Sequence, residues 1–318
     1  MLYIYKIYER NISLDILKFI LAFFVIGLHG RLFYDINPYL SFTFVSGLFR
    51  VAVPLFILIT GFFFAEISNN KGFIKWCKRI LFLYIFWNII YLPLWYHKGM
   101  SPKIFTFIIT NGFLHLWYIS HMLVASFFVW FTRKLSIKKG LILAISLYLI
   151  GCFLQYLANY SKNNFITQYV SHLYIYRNFL FFCFPFFYLG YALNKGGFKF
   201  KNYIFYISIF LFIIEITINT FLSYYYSKDL NFDLLVSLII LCPLIFIKTK
   251  EILLISSTKY IALLSSGIYF IHILTFYFID ILISPTSSLL RILLCSILSL
   301  ILASILIIIN KYLKFKIL

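Results

Sequence analysis

Apolar runs about as long as a lipid bilayer is thick recur along the whole of this 318-residue chain. A helix needs about 20 apolar residues to cross the hydrocarbon core. Ten stretches qualify: 14–34, 42–65, 73–93, 113–132, 140–157, 174–193, 201–222, 232–248, 259–280 and 287–310. The chain is 63% hydrophobic and only 12% charged, where a soluble domain carries about 25% charge. That much apolar surface is satisfied in a bilayer and nowhere else. The expectation is an all-α polytopic membrane protein with about ten transmembrane helices. No stretch is long or polar enough for a separate soluble domain, so residues 1–318 read as a single integral membrane domain. The N-terminus lacks a short apolar core followed by a small-residue cleavage site, so the first span is expected to stay.

The loop charges orient the spans. One side receives Lys6 and Arg10, then Lys71, Lys75, Lys78 and Arg79, then Arg133, Lys134, Lys138 and Lys139. Lys195, Lys199 and Lys201 follow there, then Lys248, Lys250 and Lys259, and finally Lys311, Lys314 and Lys316. The opposite loops hold Arg31, Lys98, Lys103, Lys162 and Lys228. Cationic loops stay inside, so both termini are expected in the cytoplasm, in a multi-pass protein of the cell's inner (plasma) membrane. The net charge of +19 then reflects orientation, and no nucleic-acid partner is expected. The cysteines, Cys77, Cys152, Cys183, Cys242 and Cys295, are scattered without metal-ligand spacing, so neither a structural metal nor disulfides are expected.

A charge at mid-bilayer costs about 2.5–3.5 kcal/mol on insertion scales and marks a functional candidate by default. The candidates are Asp15, Lys18, His29, Arg50, His115, His121, Arg177, Glu215, His272 and Asp280. Lys18 and His29 are eleven residues apart. That is three helical turns plus about 20°, so they share one helix face, separated by about 16 Å along the axis. The loop charges put Lys18 near the cytoplasmic end and His29 in the outer half. Asp15, three residues before Lys18, can neutralise it. Two readings stay open for this pair: ends of a functional path, or a snorkelling lysine and a hydrogen-bonded interhelical histidine.

Other spans add polar groups. Arg50 lies about one turn before Pro54 and needs an anionic or carbonyl partner. Glu215 is the acid deepest in an apolar run and is a candidate ion-pair partner for Arg50 or Arg177. His115 and Trp117 fall at the expected outer aromatic belt. His121 lies about 120° around the helix from His115, which disfavours a two-histidine metal site. Lys75, Lys78 and Arg79 form a cationic cluster at the cytoplasmic face, either an orientation signal or a site for a phosphate-bearing ligand.

Several of these stretches together resemble acyltransferase family 3, a family of membrane-bound acyltransferases. LDILKFILAFFVIGLH (14–29) is similar to that family's first helix, with a basic residue, ten residues and a histidine. RVAVPLFILITGFFF (50–64) resembles its second helix. HLWYI (115–119), RNFLFFCFPFFYLG (177–190) and SSGIYFIHIL (265–274) resemble its later markers, in order. The resemblance implies transfer of an acyl group, usually acetyl from cytoplasmic acetyl-CoA, to a hydroxyl of an extracytoplasmic acceptor such as a cell-surface glycan or lipid-linked sugar. It implies that His29 is the essential histidine and Lys18 its basic partner, with Asp15 beside it. The family's Arg-x-x-Arg pair is present here only in its second member, Arg79, because Trp76 holds the first position. Thr60 likewise stands for a serine before Gly61.

On this reading Lys75, Lys78 and Arg79 bind the phosphates of CoA. His29 acts as general base or transient acyl carrier. Arg50, His115, Trp117, Arg177 and His272 orient the acceptor or stabilise the oxyanion. Acetyl-CoA is a substrate, and no permanently bound cofactor is expected. A transporter or flippase for a glycan or small molecule, with no acyl transfer, accounts equally well for ten spans and buried polar residues.

Overall fold

A computed structural model describes residues 10–161, 168–226, 230 and 232–318. Lys6, Lys162 and Lys228 of the loop-charge pattern lie outside them. In chain order the main elements are the two-residue strand β1 (Arg10–Asn11), then α1 (Ser13–His29), α2 (Ala52–Phe64), α3 (Asn70–Ile90), α4 (Trp117–Thr132) and α5 (Ile137–Tyr160). There follow α6 (Phe184–Gly196), α7 (Asn202–Tyr226), α8 (Leu238–Glu251), the strand β2 (Ile255–Ser256), α9 (Tyr260–Leu282) and α10 (Ser288–Tyr312). The protein is an all-α membrane protein. Six helical stretches among the described residues are long and apolar enough to cross a bilayer: Pro38–Phe64, Leu114–Thr132, Ile137–Tyr160, Asn202–Tyr225, Tyr260–Leu282 and Ser288–Tyr312.

The expected ten spans are therefore not all reached by that measure. α1, α6 and α8 are 17, 13 and 14 residues long, and α3 carries four cations over its first half. The predicted span 232–248 is shortened because its first six residues are not helical. The predicted span 174–193 begins its continuous helical run only at Phe179. Asn178 starts that run, its Oδ1 accepting from the amides of Leu180 and Phe181 at 2.9 and 3.0 Å, an N-cap that satisfies two orphan donors. The second span begins earlier than predicted, at Pro38. It passes through a π turn (Thr43–Gly47) and a 3-10 turn (Leu48–Val51) before α2.

Two compact units emerge, one formed by Met1–Ile36 with Leu244–Leu318, the other by Asn37–Pro243. In the first, α1, α9 and α10 enclose a core that includes Ala22, Ile26, Ile268, Phe276, Cys295 and Ala303. β1 pairs antiparallel with β2, Asn11 opposite Ile255. The Asn11 side chain stitches the same junction. It donates to the Ile252 carbonyl at 2.9 Å and accepts from the Ser13 amide at 3.0 Å and the Leu254 amide at 3.2 Å. At the other end of α1, Gly30 makes room for its neighbours. A Cβ there would lie 2.3 Å from Ile292 Cγ1.

In the second unit, α2 and α6 pack backbone to backbone. A Cβ on Gly61 would lie 2.1 Å from the Phe187 carbonyl oxygen, and one on Gly190 would lie 2.0 Å from that of Leu58. Between helices in lipid such close approach replaces the hydrophobic drive available in water. At the end of α2, Phe64 meets Trp76 and Phe187 edge-on, with ring centroids 5.0 and 4.9 Å away. Phe73 stacks on Trp130 at 4.4 Å, joining α3 to α4.

Gly61→Leu drives a side chain into the Phe187 backbone. It is expected to cost more than the ~1–3 kcal/mol typical of overpacking, and thermal unfolding of the purified protein in detergent measures the loss.

Candidate functional site

The first unit holds two of the predicted groups together. α1 runs unbroken from Ser13 to His29, so Lys18 and His29 do share a face, the one that also carries the buried Leu14, Leu21 and Val25. Asp15 is buried, and its carboxylate accepts from Lys18 Nζ at 2.9 Å. It also binds Arg10 Nη2, a partner that local helix spacing does not suggest. The two cations leave the Arg10–Asp15–Lys18 cluster with one excess positive charge.

At the far end of α1, His29 meets His272 of α9, with ring centroids 5.2 Å apart and planes tilted by 44°. His272 is fully buried, and its Nδ1 lies 2.7 Å from the Tyr269 carbonyl oxygen. A carbonyl only accepts, so Nδ1 carries the proton, and Nε2 is the lone-pair nitrogen of the neutral ring. Beneath the ring, Thr275 Oγ1 donates to the His272 carbonyl at 2.7 Å and lies 2.9 Å from both Cys295 Sγ and Ser299 Oγ. This buried polar chain fixes the α9 turn that presents His272 against α10. Asp280, another candidate, pairs with Arg291, whose Nε donates to Oδ1 at 2.6 Å.

The second unit holds Arg50, Arg177 and Trp117, and a residue absent from the sequence-derived candidates organises them. Asp233 is buried. It pairs with Arg50 Nη1 and receives Arg177 Nη1 at 3.4 Å on each oxygen. The Arg177 guanidinium also sits over Trp117, 4.8 Å from the ring centroid. Trp117 in turn lies 5.6 Å from His121. Arg50 Nε is buried with no hydrogen-bond partner among the described residues, so Arg50 keeps one donor to offer.

The candidate pairing of Glu215 with Arg50 or Arg177 is corrected by this geometry. Glu215 Oε1 accepts from Tyr156 Oη at 2.7 Å and the Val236 amide at 2.6 Å, and Oε2 accepts from the Ser237 amide at 2.8 Å and from the Ser237 hydroxyl. Glu215 thus serves the amides just ahead of α8, where a helix N-terminus favours negative charge. Gln155, wholly buried, serves the preceding residues. Its Oε1 accepts from the amides of Asp233 and Leu234 at 2.7 and 2.9 Å, and its Nε2 donates to the Leu234 carbonyl at 2.7 Å. Together they hold residues 232–237 in a non-helical path that carries Asp233 to the two arginines.

His115 stands apart from this cluster. It is buried in a 3-10 turn, edge-on to Tyr91 at 5.2 Å, and not at an exposed interfacial belt. On α3, Lys75 and Lys78 are exposed and Arg79 is half-buried. Trp76 faces the aromatic packing around Phe64, which accounts physically for a ring at that position. Arg133, just past α4, lies over Trp130 at 3.2 Å. The Phe73–Trp130 stack thereby brings a further cation to the same end of α3.

The sequence pattern of the family described as “Acyltransferase domain” matches residues 11–308. The chain belongs to this acyltransferase family. The matched span takes in His29, His272, both arginines and the α3 cations, and it bears out the resemblance carried by the five ordered motifs. Two amino-acid racemases of Enterococcus faecalis are similar to parts of this acyltransferase-family chain. One is 28% identical over 158 residues, 45% of this chain and 22% of the relative. The other is 26% identical over 222 residues, 64% of this chain and 31% of the relative. A serine/alanine racemase of Enterococcus gallinarum is 29% identical over 157 residues, 45% of this chain and 22% of its own length. This chain thus spans less than a third of the curated relatives it matches. No solved structure matches.

Asp233→Ala leaves Arg50 buried without its counter-charge and is expected to cost about 3–5 kcal/mol. The double change Arg50→Met with Asp233→Leu is expected to recover most of that loss, and thermal unfolding in detergent compares the two.

Proposed function

We propose that this chain transfers an acetyl group from cytoplasmic acetyl-CoA to a hydroxyl of an extracytoplasmic acceptor, a glycan or lipid-linked sugar. The observation that carries the reading is the His29–His272 pair, seated at the end of α1 opposite the Arg10–Asp15–Lys18 cluster. The full proposal places ten membrane crossings and both termini in the cytoplasm of a cell whose inner membrane holds the protein. α1 then offers a cationic group on the cytoplasmic side and imidazoles toward the outside.

In the proposed reaction His29, neutral, accepts the proton of the acceptor hydroxyl. The hydroxyl oxygen attacks the thioester carbonyl, the C–S bond breaks, and CoA leaves as thiolate to take up a proton. The Tyr269 carbonyl keeps the His272 proton on Nδ1 and so fixes the orientation of the ring beside His29. Lys75, Lys78 and Arg79 bind the CoA phosphates, a match of cations to phosphate oxygens. Arg177 is the cation that meets the acceptor, since its contact with Asp233 is long and it is part-exposed, while Arg50 is paired more closely with Asp233. Arg50 Nε is a second donor for the acceptor or oxyanion.

The racemase relatives favour a second acceptor, a small amino acid. A serine/alanine racemase is among them, and serine carries a hydroxyl. Transport without chemistry is the contrasting outcome. Isotopically labelled acetyl-CoA separates these readings: the label moves to a glycan or to serine in acyl transfer and stays on CoA in transport.

His29→Ala is expected to abolish acetyl transfer in membranes at unchanged protein level; full activity at normal level overturns the mechanism. Replacing Lys75, Lys78 and Arg79 together by Gln is expected to raise KM for acetyl-CoA at least several-fold with little change in kcat. Initial rates across acetyl-CoA concentrations measure both.

A further inference from the structure

The charged centre of the second unit is not balanced. Arg50 and Arg177 each bring a positive charge and Asp233 a single negative one, which leaves one positive charge over. A charge held out of water needs a counter-charge. Glu215 does not supply it here, because its carboxylate faces the amides of Val236 and Ser237, where a helix N-terminus offsets it.

The donors of the two guanidiniums are also underused. Arg50 gives Nη1 to Asp233, while its buried Nε has no acceptor among the described residues. Arg177 gives only Nη1, at 3.4 Å to each oxygen of Asp233. Its other tie is to the Trp117 ring, 4.8 Å away, which attracts the cation and offers it no oxygen. A buried N–H without an acceptor keeps its full desolvation cost. The centre thus lacks acceptor oxygens as well as a negative charge, and one oxygen-bearing anion supplies both.

The size of the excess charge selects among anions. A phosphate monoester carries about −1.5 to −2 at neutral pH and would leave the centre negative. A carboxylate carries a single charge and leaves it neutral. Its two coplanar oxygens match the flat edge of a guanidinium. It also has a single substituent, which suits a site where the Arg50 side chain is 9% exposed and that of Arg177 25%. Arg50 lies just before α2, Trp117 opens α4, Arg177 stands just ahead of the run that begins at Phe179, and Asp233 precedes α8. In the proposed orientation all four of these helices run inward from the outside, so the site is reached from that side.

We propose that Arg177 and Arg50 Nε together bind a carboxylate, so that the hydroxyl acceptor is itself an acid: a hydroxy acid, a hydroxy amino acid or a sugar acid. The word acceptor rests on the acyl-transfer reading; the carboxylate site stands apart from it.

The test uses the full chain in neutral-detergent micelles with phenylglyoxal, which modifies accessible arginines, and peptide mass spectrometry follows Arg177. The probes are lactate, L-serine and D-glucuronate, each beside a counterpart without the carboxylate: lactamide, L-serinamide and D-glucose. At least one of the acids is expected to slow modification of Arg177 at least fivefold at saturation, and none of the counterparts to do so. Arg133, over Trp130 at the end of α4, is expected to react at the same rate throughout. Diethyl phosphate, a monoanion with the chemistry of a lipid phosphodiester, is expected to protect less than the best acid.

Arg50→Met alone leaves Asp233 and Arg177 as a neutral pair and is expected to abolish protection by the acid. Arg50→Met with Asp233→Leu returns the single excess charge on Arg177 and is expected to restore part of it, a reversal that damage to the fold does not produce. Size-exclusion profiles confirm that each variant is folded, and the unmodified sequence decides the proposal by itself. No protection by any of the three acids, equal protection by their counterparts, or stronger protection by diethyl phosphate overturns it. Transfer of label from acetyl-CoA to a neutral glycan, with Arg177 unprotected by the acids, removes the carboxylate site and leaves acyl transfer standing. Protection by an acid, with label from acetyl-CoA reaching no acceptor, removes acyl transfer and leaves the site standing.

Discussion

The irregular backbone of residues 232–237 can lie among apolar helices only because its amides are satisfied by side chains. In hydrocarbon each unsatisfied peptide group costs several kcal/mol, so non-helical backbone survives there only where protein supplies partners. Gln155 and Glu215 supply them from α5 and α7, and Tyr148 adds its hydroxyl to the Leu235 carbonyl at 2.7 Å. The position of Asp233 follows from this, and the settling of Arg50 and Arg177 follows from Asp233. Each link depends on the previous one: a buried amide surrogate, a bent segment, a buried carboxylate, then two guanidiniums with one excess charge between them.

The first unit meets the same constraint differently. Its polar groups are satisfied at the two ends of α1 rather than along an irregular segment. Near β1, Asp15 gathers Arg10 and Lys18, and Asn11 closes the junction to β2. At the other end, the Tyr269 carbonyl and the Thr275–Cys295–Ser299 chain fix His272 beside His29. A ring held in one tautomer by a backbone carbonyl is the form the proposed acid–base role requires. The proposed acyl transfer gives a use to the separation of a cationic end from an imidazole end along one helix.

Much of this was legible beforehand, for identifiable reasons. The all-α membrane class follows from apolar run length, which needs no knowledge of partners. The Lys18–His29 face follows from helical periodicity, and the Asp15–Lys18 pair from i,i+3 spacing. The Arg10–Asp15 contact did not follow, because β1 turns the chain back on α1. For Glu215 charge alone offers Arg50 or Arg177 as candidate partners, while its partners in the fold are two backbone amides and the hydroxyls of Tyr156 and Ser237, which carry no sequence signature. Asp233 was overlooked because it sits at the margin of an apolar run, where an acid reads as a loop residue. Among the described residues six helical stretches are long and apolar enough to cross; other expected spans miss that measure where an apolar run contains a break, as at 232–237, or many cations, as in α3.

Sequence by itself determined the medium, the all-α class and the family, since these depend on composition, periodicity and ordered local motifs. It also placed His29 and Lys18 on one helix face, because both belong to a single continuous helix. Only the tertiary structure decided which groups meet: His272 with His29, Asp233 with both arginines, Glu215 with the amides before α8. Those pairings join residues from 21 to 243 positions apart. They are chosen by the cost of leaving a buried charge or backbone amide without a partner in a low-dielectric interior, a condition on the whole fold and not on any one segment.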